Sequence, residues 1–301
     1  MMHSAIYGQL TVFHTIAAQG SISTAARQLE IGAPAVSKSL KQLEEHIGLP
    51  LFNRTTRKLE LTEAGSLLLA RTGEAVQSLQ YAVESVHDLG QTPAGRVRIT
   101  VPRIAYLLVL KPHFAEFCRR YPQVELEISM YDGTVDIIKE GFDLGIRFGH
   151  AIEENRVARK LLPPFRGGLY VSKAYADQFG VPQSLAELAQ HKLIGFRFMT
   201  ANSLFPLSLH ENGHEVNIEM PTPLIVNSLE VVLDAVRQGL GIGRVFEPIL
   251  ALEADAADFI PVLERHWKHY PPLSLYYPQH SQKAKRIRVL IDFLAEKMAS
   301  V

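Results

Sequence analysis

Hydrophobic residues at the start of the chain recur at the spacing of an amphipathic helix. Between residues 5 and 18, apolar side chains are separated by four, three and four positions, which places them on one face of a helix. They are Ile6, Leu10, Phe13 and Ala17. The pattern predicts a first helix over residues 5–18 with this face turned toward a core.

Two more helices are predicted before residue 50. Ser23 can cap a second, short helix, and Pro34 suits the first position of a third, where its missing N–H group is not needed. The third helix leaves Ser37, Lys38 and Lys41 outside. Its apolar positions are Val36, Leu40, Leu43 and Ile47. Three short helices, the last two joined by a tight turn, are typical of a helix-turn-helix.

A basic hairpin is predicted at residues 51–61. Apolar residues flank a polar stretch, residues 53–58, that contains Arg54, Arg57 and Lys58. Three positive charges in six residues indicate the tip of a β-hairpin wing.

A long helix is predicted next, because residues 62–89 contain no proline and carry a heptad-like apolar seam. The seam residues are Leu69, Thr72, Val76, Leu79, Val83 and Val86. Two interpretations stay open. Either the helix packs on its own domain, or, as we favour, it pairs with a second copy, because a helix between two domains needs a partner for its apolar seam.

After a hinge-like break at residues 90–95, strands alternate with helices. The predicted strands are 97–101, 124–130, 144–148, 169–171, 224–226, 241–245 and 273–277, and the predicted helices are 104–120, 135–141, 228–238 and 283–298. Such alternation is typical of βαβ units and a mainly parallel sheet.

Composition limits the classes of function. A chain of 301 residues has the length of roughly two domains. Its 31 basic and 31 acidic residues cancel, so any nucleic-acid surface must be local. Cys118 is the only cysteine, which excludes an intramolecular disulfide, and we interpret it as a packing residue. No apolar stretch has the length of a signal sequence or a membrane helix, so we expect a cytoplasmic protein with no membrane partner.

Several segments match a known family in register. Residues 13–29, 34–37, 43–48, 51–54 and 61–65 strongly resemble the LysR-type transcriptional regulators of bacteria. Three later segments resemble the same family at lower specificity: residues 117–122, 142–147 and 236–242. The resemblance therefore spans nearly the whole chain.

The resemblance implies an α+β multidomain protein that binds promoter DNA under the control of a small-molecule effector. The implied parts are a winged helix-turn-helix at residues 1–61, a dimerisation helix at 62–90 and a regulatory domain at 91–301. The regulatory domain should have two Rossmann-like lobes, similar to periplasmic solute-binding proteins, with the effector cleft between them. Lobe I is expected at about 91–163 and 271–301, and lobe II at about 164–270. The implied assembly on double-stranded DNA is a homodimer or homotetramer.

The third helix and the wing carry the expected DNA contacts. A helix in the major groove must present hydrogen-bond donors outward and cations near its ends. The residues expected to meet DNA are Ala33, Pro34, Ser37, Lys38, Lys41, Arg54, Arg57 and Lys58. The family usually has two polar residues before this proline, whereas this chain has Gly32 and Ala33. A methyl group senses only a thymine methyl, so base reading there is expected to be weak.

The expected effector is a small anion. A helix should begin near Arg103, where free N–H groups and a guanidinium favour a carboxylate or another anion. Other positions at strand ends resemble cleft-lining positions of the family. The full set of expected effector contacts is Arg103, Arg147, Thr200, Asn227 and Ser228.

An enzyme and a plain solute-binding protein are the alternatives. The glycine pattern at residues 239–243 follows a helix and enters a strand, the reverse of a dinucleotide-binding loop, so it is interpreted as a helix cap. His210 and His214 are separated by Asn212 and Gly213, which break the helix that a metal-binding pair would need.

Acidic residues 132, 136 and 140 are interpreted as the solvent face of a helix rather than as an acid and base pair. We therefore expect no catalytic residues, no cofactor and no metal. The N-terminal domain argues against a plain solute-binding protein.

Overall fold

The computed structural model describes residues 5–54, 59–89, 92–152, 156–198 and 200–299. Its α-helices are α1 (Ile6–Gln19), α2 (Ile22–Gln28), α3 (Ala33–Ile47), α4 (Glu63–His87), α5 (Arg103–Ala105), α6 (Phe114–Arg120), α7 (Lys173–Phe179), α8 (Leu229–Arg237), α9 (Glu247–Leu250) and α10 (Lys285–Met298). Its strands are β1 (Phe52–Arg54), β2 (Leu59–Leu61), β3 (Gly95–Val101), β4 (Val124–Met130), β5 (Leu144–Phe148), β6 (Val157–Leu162), β7 (Phe165–Ser172), β8 (Ile194–Phe198), β9 (Ser203–Leu204), β10 (Ser208–Glu211), β11 (His214–Asn217), β12 (Leu224–Val226), β13 (Gly243–Phe246), β14 (Phe259–Val262), β15 (Lys268–Tyr270) and β16 (Leu273–Tyr277).

Helices α1, α2 and α3 share one small core. Phe13 and Ile16 of α1 and Val36, Leu40 and Leu43 of α3 are fully buried in it. The helical spacing assigned Phe13 and the three α3 residues to buried faces, because a period near 3.6 residues aligns them on one side. It missed Ile16, and the other predicted α1 positions, Ile6, Leu10 and Ala17, are only partly buried against this core. The three predicted helices are therefore confirmed, and the opposite face of α3 is left to solvent.

The cap of α2 differs from the prediction. Ser21 lies in extended conformation and its hydroxyl oxygen accepts a hydrogen bond from the Thr24 N–H at 3.5 Å, so Ser21 is the N-cap. Ser23 lies inside the helix and its hydroxyl contacts the Ser21 hydroxyl at 2.8 Å. The prediction of Ser23 was wrong because the helix begins at Ile22, so the residue that precedes it and caps it is Ser21.

The seam of α4 is divided between two environments. Thr62 caps the helix by accepting a hydrogen bond from the Gly65 N–H at 3.0 Å. In the first half, Val76 is buried and the Thr72 hydroxyl contacts His14 Nε2 of α1 at 2.8 Å. In the second half, the apolar seam is exposed over Leu79, Val83 and Val86, with exposures of 51%, 57% and 66%. The apolar seam itself therefore packs on the chain's own domains only as far as Val76.

The second half of α4 is tied to the regulatory domain through its other face. The buried Tyr81 hydroxyl donates to Asp143 Oδ1 at 2.9 Å, and Arg286 bonds Glu84 at 2.6 and 3.0 Å. Arg286 also lies 3.3 Å from Asp143. Burial and the neighbouring Asp143 carboxylate raise the pKa of the Tyr81 hydroxyl, so it stays a donor. This network fixes the linker helix against the end of β5.

Two groups of strands build the regulatory domain, and we call them lobe I and lobe II. Lobe I is the sheet β4-β3-β5-β16-β6, in which β3 pairs in parallel with β4 and β5, whereas β16 is antiparallel to β5 and β6. Lobe II contains the sheet β13-β7-β14, with β15 also on β7, and the sheet β12-β8-β9. The expectation of a mainly parallel sheet is wrong for β7, because all its partners run antiparallel.

The predicted helix over residues 104–120 is interrupted. α5 continues as a π-helical turn over Tyr106–Leu110, and α6 begins only at Phe114. Pro112 lies in the gap, where it lacks the N–H that a continuous helix requires. Cys118 on α6 is exposed, so its interpretation as a packing residue is wrong.

The predicted helix over residues 135–141 is a series of turns. The Asp136 carboxylate accepts hydrogen bonds from the Ile138 and Lys139 N–H groups, both at 3.1 Å, and so caps a single turn, which ends at Gly141 with φ +70°. The interpretation of residues 132, 136 and 140 as one helix face is therefore wrong. Within the described residues, no helix is long and apolar enough to cross a bilayer.

Candidate DNA-binding face and effector cavity

Helix α3 presents a basic face to solvent. Ala33, Pro34, Lys38 and Lys41 are exposed, and Ser37 is half-buried beside them. Lys41 Nζ lies 3.6 Å from Glu45 Oε1, with both side chains more than 60% exposed, so this pair is weak. The helix begins at Ala33, which places Pro34 in its first turn. The arrangement leaves Lys38 and Lys41 available for phosphate groups.

The wing is an antiparallel pair of short strands. Its register joins Phe52 to Leu61 and Arg54 to Leu59. Arg54 therefore lies in β1, at the end that leads to the tip. The other two basic wing residues, Arg57 and Lys58, lie outside the described residues.

Sequence reasoning missed one polar residue on the exposed face of α3. Gln42 is exposed and follows Lys38 by four positions, which places both on one side of the helix. An amide is able to bond an adenine edge, which is chemistry that the methyl group of Ala33 lacks. The signal was available in the spacing alone.

A cavity of about 510 Å³ lies between the lobes. Lobe I contributes the start of α5, the end of β5 and the turn after β4, whereas lobe II contributes β8, α8, β13 and β15. Two contacts join the lobes beside it. Arg103 forms an ion pair with Glu230 of α8, and the Tyr131 and Thr200 hydroxyls lie 2.7 Å apart. The cavity is thus bounded by both lobes and by direct contacts between them.

Arg147 is a buried cation at the cavity wall. It is 5% exposed, and its guanidinium donates to the Thr100 carbonyl at 3.2 Å, the Thr100 hydroxyl at 3.1 Å and the Ile146 carbonyl at 2.8 Å. Within the residues that the structure describes, its Nε has no hydrogen-bond partner, as is also the case for the Nε of Arg103. Burial lowers the pKa of Arg147, and the charge of Asp132 acts in the opposite direction. Among the described residues, no carboxylate forms an ion pair with it.

Arg103 lines the same cavity, but its positive charge is already balanced. Its guanidinium pairs with Glu230, and its backbone N–H donates to Asp132 Oδ1 at 2.8 Å. The helix that it begins has only three residues. The expectation of free positive charge at this helix start is therefore wrong, because Glu230 pairs with the guanidinium and Asp132 with the backbone N–H group.

The other three predicted effector residues do not line the cavity. The Thr200 hydroxyl contacts Tyr131, and a β-carbon at Gly133, which lines the cavity, would collide with it. The Ser228 hydroxyl donates to Glu230 at 2.6 Å. Asn227 is exposed. Thr200 and Ser228 therefore contact Tyr131 and Glu230 beside the cavity. Of the predicted effector residues, Arg147 is the one that lines the cavity without an ion-pairing carboxylate among the described residues.

Arg244 of β13 is a cavity residue that sequence reasoning missed. Its guanidinium donates to the Pro206 carbonyl at 2.8 Å, and its central carbon lies 4.0 Å from the centre of the Phe205 ring. Burial lowers the pKa of Arg244. Arg244 is the only charged residue in residues 239–246, so a cation inside a glycine-rich apolar strand was the available signal.

In the part of the chain that the structure describes, no group of three or more His, Cys, Asp or Glu side chains is able to hold a metal ion. His210 and His214 lie on β10 and β11 of a hairpin, joined by Asn212 and Gly213 at positive φ. Gly239 ends α8 at φ +68°, as expected for a helix cap.

Two family models match the chain. One, described as "LysR substrate binding domain", covers residues 90–299, and the other, "Bacterial regulatory helix-turn-helix protein, lysR family", covers residues 7–66. The HTH-type transcriptional regulator CrgA of Neisseria meningitidis serogroup C is 30% identical over 295 residues, with 97% of each chain covered. The HTH-type transcriptional regulator PgrR of Escherichia coli K12 is 28% identical over 290 residues, which are 96% of this chain and 97% of PgrR.

Solved structures show the same architecture. The structure of CrgA, a LysR-type transcriptional regulator from Neisseria meningitidis, is 28% identical, covers 99% of both chains and superposes with a TM-score of 0.60. The full-length structure of the Vibrio cholerae virulence activator AphB, at 24% identity, shares the fold with a TM-score of 0.62 over 96% of this chain and 98% of AphB.

Proposed function

The chain belongs to the LysR family of bacterial transcriptional regulators, and on that premise we propose that α3 and the wing bind promoter DNA while Arg147 holds an anionic effector between the lobes. The family has a DNA-binding helix-turn-helix and an effector-binding regulatory domain, which confirms the fold class and the general function expected from the sequence. The residues, the charge of the effector and the assembly are proposals.

The DNA-binding proposal rests on the exposed face of α3. Its opposite face is buried against α1, so the outward direction of Lys38 and Lys41 is set by the core. Lysines at such positions neutralise phosphates and position the helix in the major groove. The basic residues of the wing, Arg54, Arg57 and Lys58, extend the proposed surface along the backbone of the duplex, and Ala33, Pro34 and Ser37 approach the bases.

A second copy of the chain is the proposed partner of the linker helix. Leu79, Val83 and Val86 form an apolar strip on α4 that the chain itself leaves exposed. Large apolar side chains in a row at spacings of four and three are typical of a helix-pairing surface. We propose a homodimer through this strip, which would present two α3 helices to a two-part operator.

A single observation carries the effector proposal: Arg147 is a buried cation without an ion-pairing carboxylate among the described residues. Burying an unpaired charge is unfavourable, and such a charge at a cavity wall is a ready partner for an anion. The three curated and solved relatives named above are described as transcriptional regulators or activators, so we propose binding at this cavity and no catalysis.

Two variants test the two halves of this proposal in one assay. Binding to a fluorescent promoter fragment from upstream of the encoding gene is measured by anisotropy, with and without a panel of small carboxylates. We expect Lys38→Ala to weaken DNA binding several-fold and to lower the slope of log K against log salt by about one unit, with ligand binding unchanged. We expect Arg147→Gln to keep DNA binding and to lose the ligand response.

The matched control is Lys111→Ala, an exposed lysine of the regulatory domain. It should change neither readout. If Lys38→Ala keeps the full salt slope, α3 does not contact phosphates through Lys38. If Arg147→Gln keeps a carboxylate response, the effector is held elsewhere.

A further inference from the structure

Aromatic rings line the interlobe cavity from both sides. They are Phe148, Phe196, Phe198, Phe205, Phe246 and Tyr270. Phe148 comes from lobe I at 6.0 Å from the rings of Phe246 and Tyr270 in lobe II, and Phe246 meets Tyr270 edge-to-face at 4.9 Å. All six rings are half-buried rather than fully buried. Each ring therefore has some surface that the surrounding core residues do not cover.

The charged residues that line the cavity, together with their ion-pair partners, carry one more positive than negative charge. Arg103 is balanced by Glu230, and Lys268 Nζ lies 2.7 Å from Glu215. Arg147 and Arg244 remain, against the single lining carboxylate of Asp132. Four cations thus face three carboxylates among the lining residues and their ion-pair partners. A ligand with one negative charge would complete the balance.

The two unpaired cations differ in what they can offer. Arg147 already uses both terminal nitrogens on weakly charged oxygens of Thr100 and Ile146, so a carboxylate would gain a charge-assisted bond there. Arg244 lies over the Phe205 ring, with its central carbon 4.0 Å from the ring centre, and it comes from the opposite lobe. The first residue suits the charged group of a ligand, and the second suits a polar substituent on its ring.

Size and enclosure fit a single-ring compound. A cavity of about 510 Å³ falls within the usual range of small-molecule sites, roughly 300–1,000 Å³. The Arg103–Glu230 pair and the Tyr131–Thr200 contact join the lobes beside it.

We propose that the effector is an aromatic monocarboxylate, whose carboxylate pairs with Arg147, whose ring lies against the phenyl groups, and whose ring substituent is recognised by Arg244. This inference rests on the proposed anion site at Arg147 and adds the class of compound to it. The aromatic wall selects the ring because offset and edge-to-face ring contacts are more favourable than contact with a saturated ring of equal size.

Calorimetric titration of the full chain with five probes tests the proposal: benzoate, 4-hydroxybenzoate, benzamide, cyclohexanecarboxylate and acetate. We expect benzoate to bind at least tenfold more tightly than benzamide, which lacks the charge, and at least tenfold more tightly than acetate, which lacks the ring. Cyclohexanecarboxylate should bind several-fold more weakly than benzoate. 4-Hydroxybenzoate should bind more tightly than benzoate.

Three variants assign these preferences to residues. Arg147→Gln should lose the difference between benzoate and benzamide. Arg244→Gln should keep benzoate binding and lose the preference for 4-hydroxybenzoate. Phe205→Leu should reduce the difference between benzoate and cyclohexanecarboxylate. Lys111→Gln, at an exposed position that does not line the cavity, is the control, and the melting temperature of each variant checks that it is folded.

The outcomes separate this inference from the proposed function. Equal affinity for benzoate, cyclohexanecarboxylate and acetate, all dependent on Arg147, would overturn the aromatic class and keep the anion site. Equal affinity for benzoate and benzamide would overturn both. No binding of either aromatic acid at millimolar concentration, with acetate or another carboxylate still bound, would also overturn the aromatic class alone.

Discussion

The basic face of α3 and the cavity between the lobes both present cations to an anionic partner, yet they differ in their access to water. Lys41 is 72% exposed on its helix, whereas Arg147 is 5% exposed. An exposed charge is screened by salt and contributes little by itself. A buried charge without a counter-ion is unfavourable until a partner arrives.

If the proposed function holds, the two regions use different modes of recognition. DNA binding by the face of α3 would then be a sum of many weak phosphate contacts, which a second copy of the chain would double. Ligand binding in the cavity would depend on one or two strong contacts within a single chain. Measurements that change the salt concentration, break the proposed dimer or neutralise one cation should distinguish the two regions.

Salt should produce the largest separation. Raising the salt concentration from 50 to 200 mM should weaken promoter binding about 10³-fold, because each phosphate contact releases counter-ions on binding. Binding of benzoate, or of whichever carboxylate titrates Arg147, should change by less than about tenfold, because the buried pair is shielded from ions. Anisotropy and calorimetry at matched salt concentrations give the two slopes. Equal slopes would mean that the cavity is as open to solvent as α3.

Breaking the exposed strip of α4 should produce the next largest separation. Leu79→Asp with Val83→Asp places two charges on the proposed helix-pairing surface, so we expect sedimentation to show the mass of one chain and promoter affinity to fall about 100-fold. Ligand binding should be unchanged. Val76 is a poor choice for this test because the chain itself buries it.

The control for the α4 test is Gln80→Asp, at an exposed position beside the strip. It should leave both mass and DNA affinity unchanged. A double variant that keeps the mass of the unmodified protein would exclude this strip as the contact between copies.

Neutralising one cation of each region should give the smallest effect, and a change in stability is expected for the buried cation alone. Without ligand, Arg147→Gln should raise stability by about 1 kcal/mol, roughly 2–4 °C in melting temperature, because it removes a buried charge while an amide is still able to bond the Thr100 oxygens. Lys38→Gln should leave the melting temperature unchanged, because the side chain is exposed. Differential scanning calorimetry of the ligand-free proteins measures both. A large loss of stability in Arg147→Gln would assign Arg147 a structural role.

The linker network shows how the two regions are connected physically. β5 begins next to Asp143, which bonds Tyr81 of α4, and carries Arg147 near its other end at the cavity wall. The family-like stretch at residues 142–147 therefore spans from the linker helix to the proposed anion site. From the sequence alone, this stretch was identified as a strand signature. The sequence did not show that Asp143 contacts the linker helix whereas Arg147 lies at the cavity wall.

The sequence by itself determined the elements whose signals are local. Helical spacing placed α1, α3 and α4 and the buried face of α3, because a period near 3.6 residues depends only on neighbouring positions. The family register identified the helix-turn-helix in the same way. The break at Pro112 was equally local and should have been predicted.

The tertiary structure alone decided which charges are free and which apolar seam is covered. Arg103 and Arg147 look alike in sequence, but Glu230, far along the chain, neutralises the first, whereas only neutral oxygens of Thr100 and Ile146 bond the second. Val76 and Leu79 belong to one seam, yet one is buried and the other is half exposed. Charge balance and burial depend on residues brought together by folding, and no local pattern encodes which distant residue arrives.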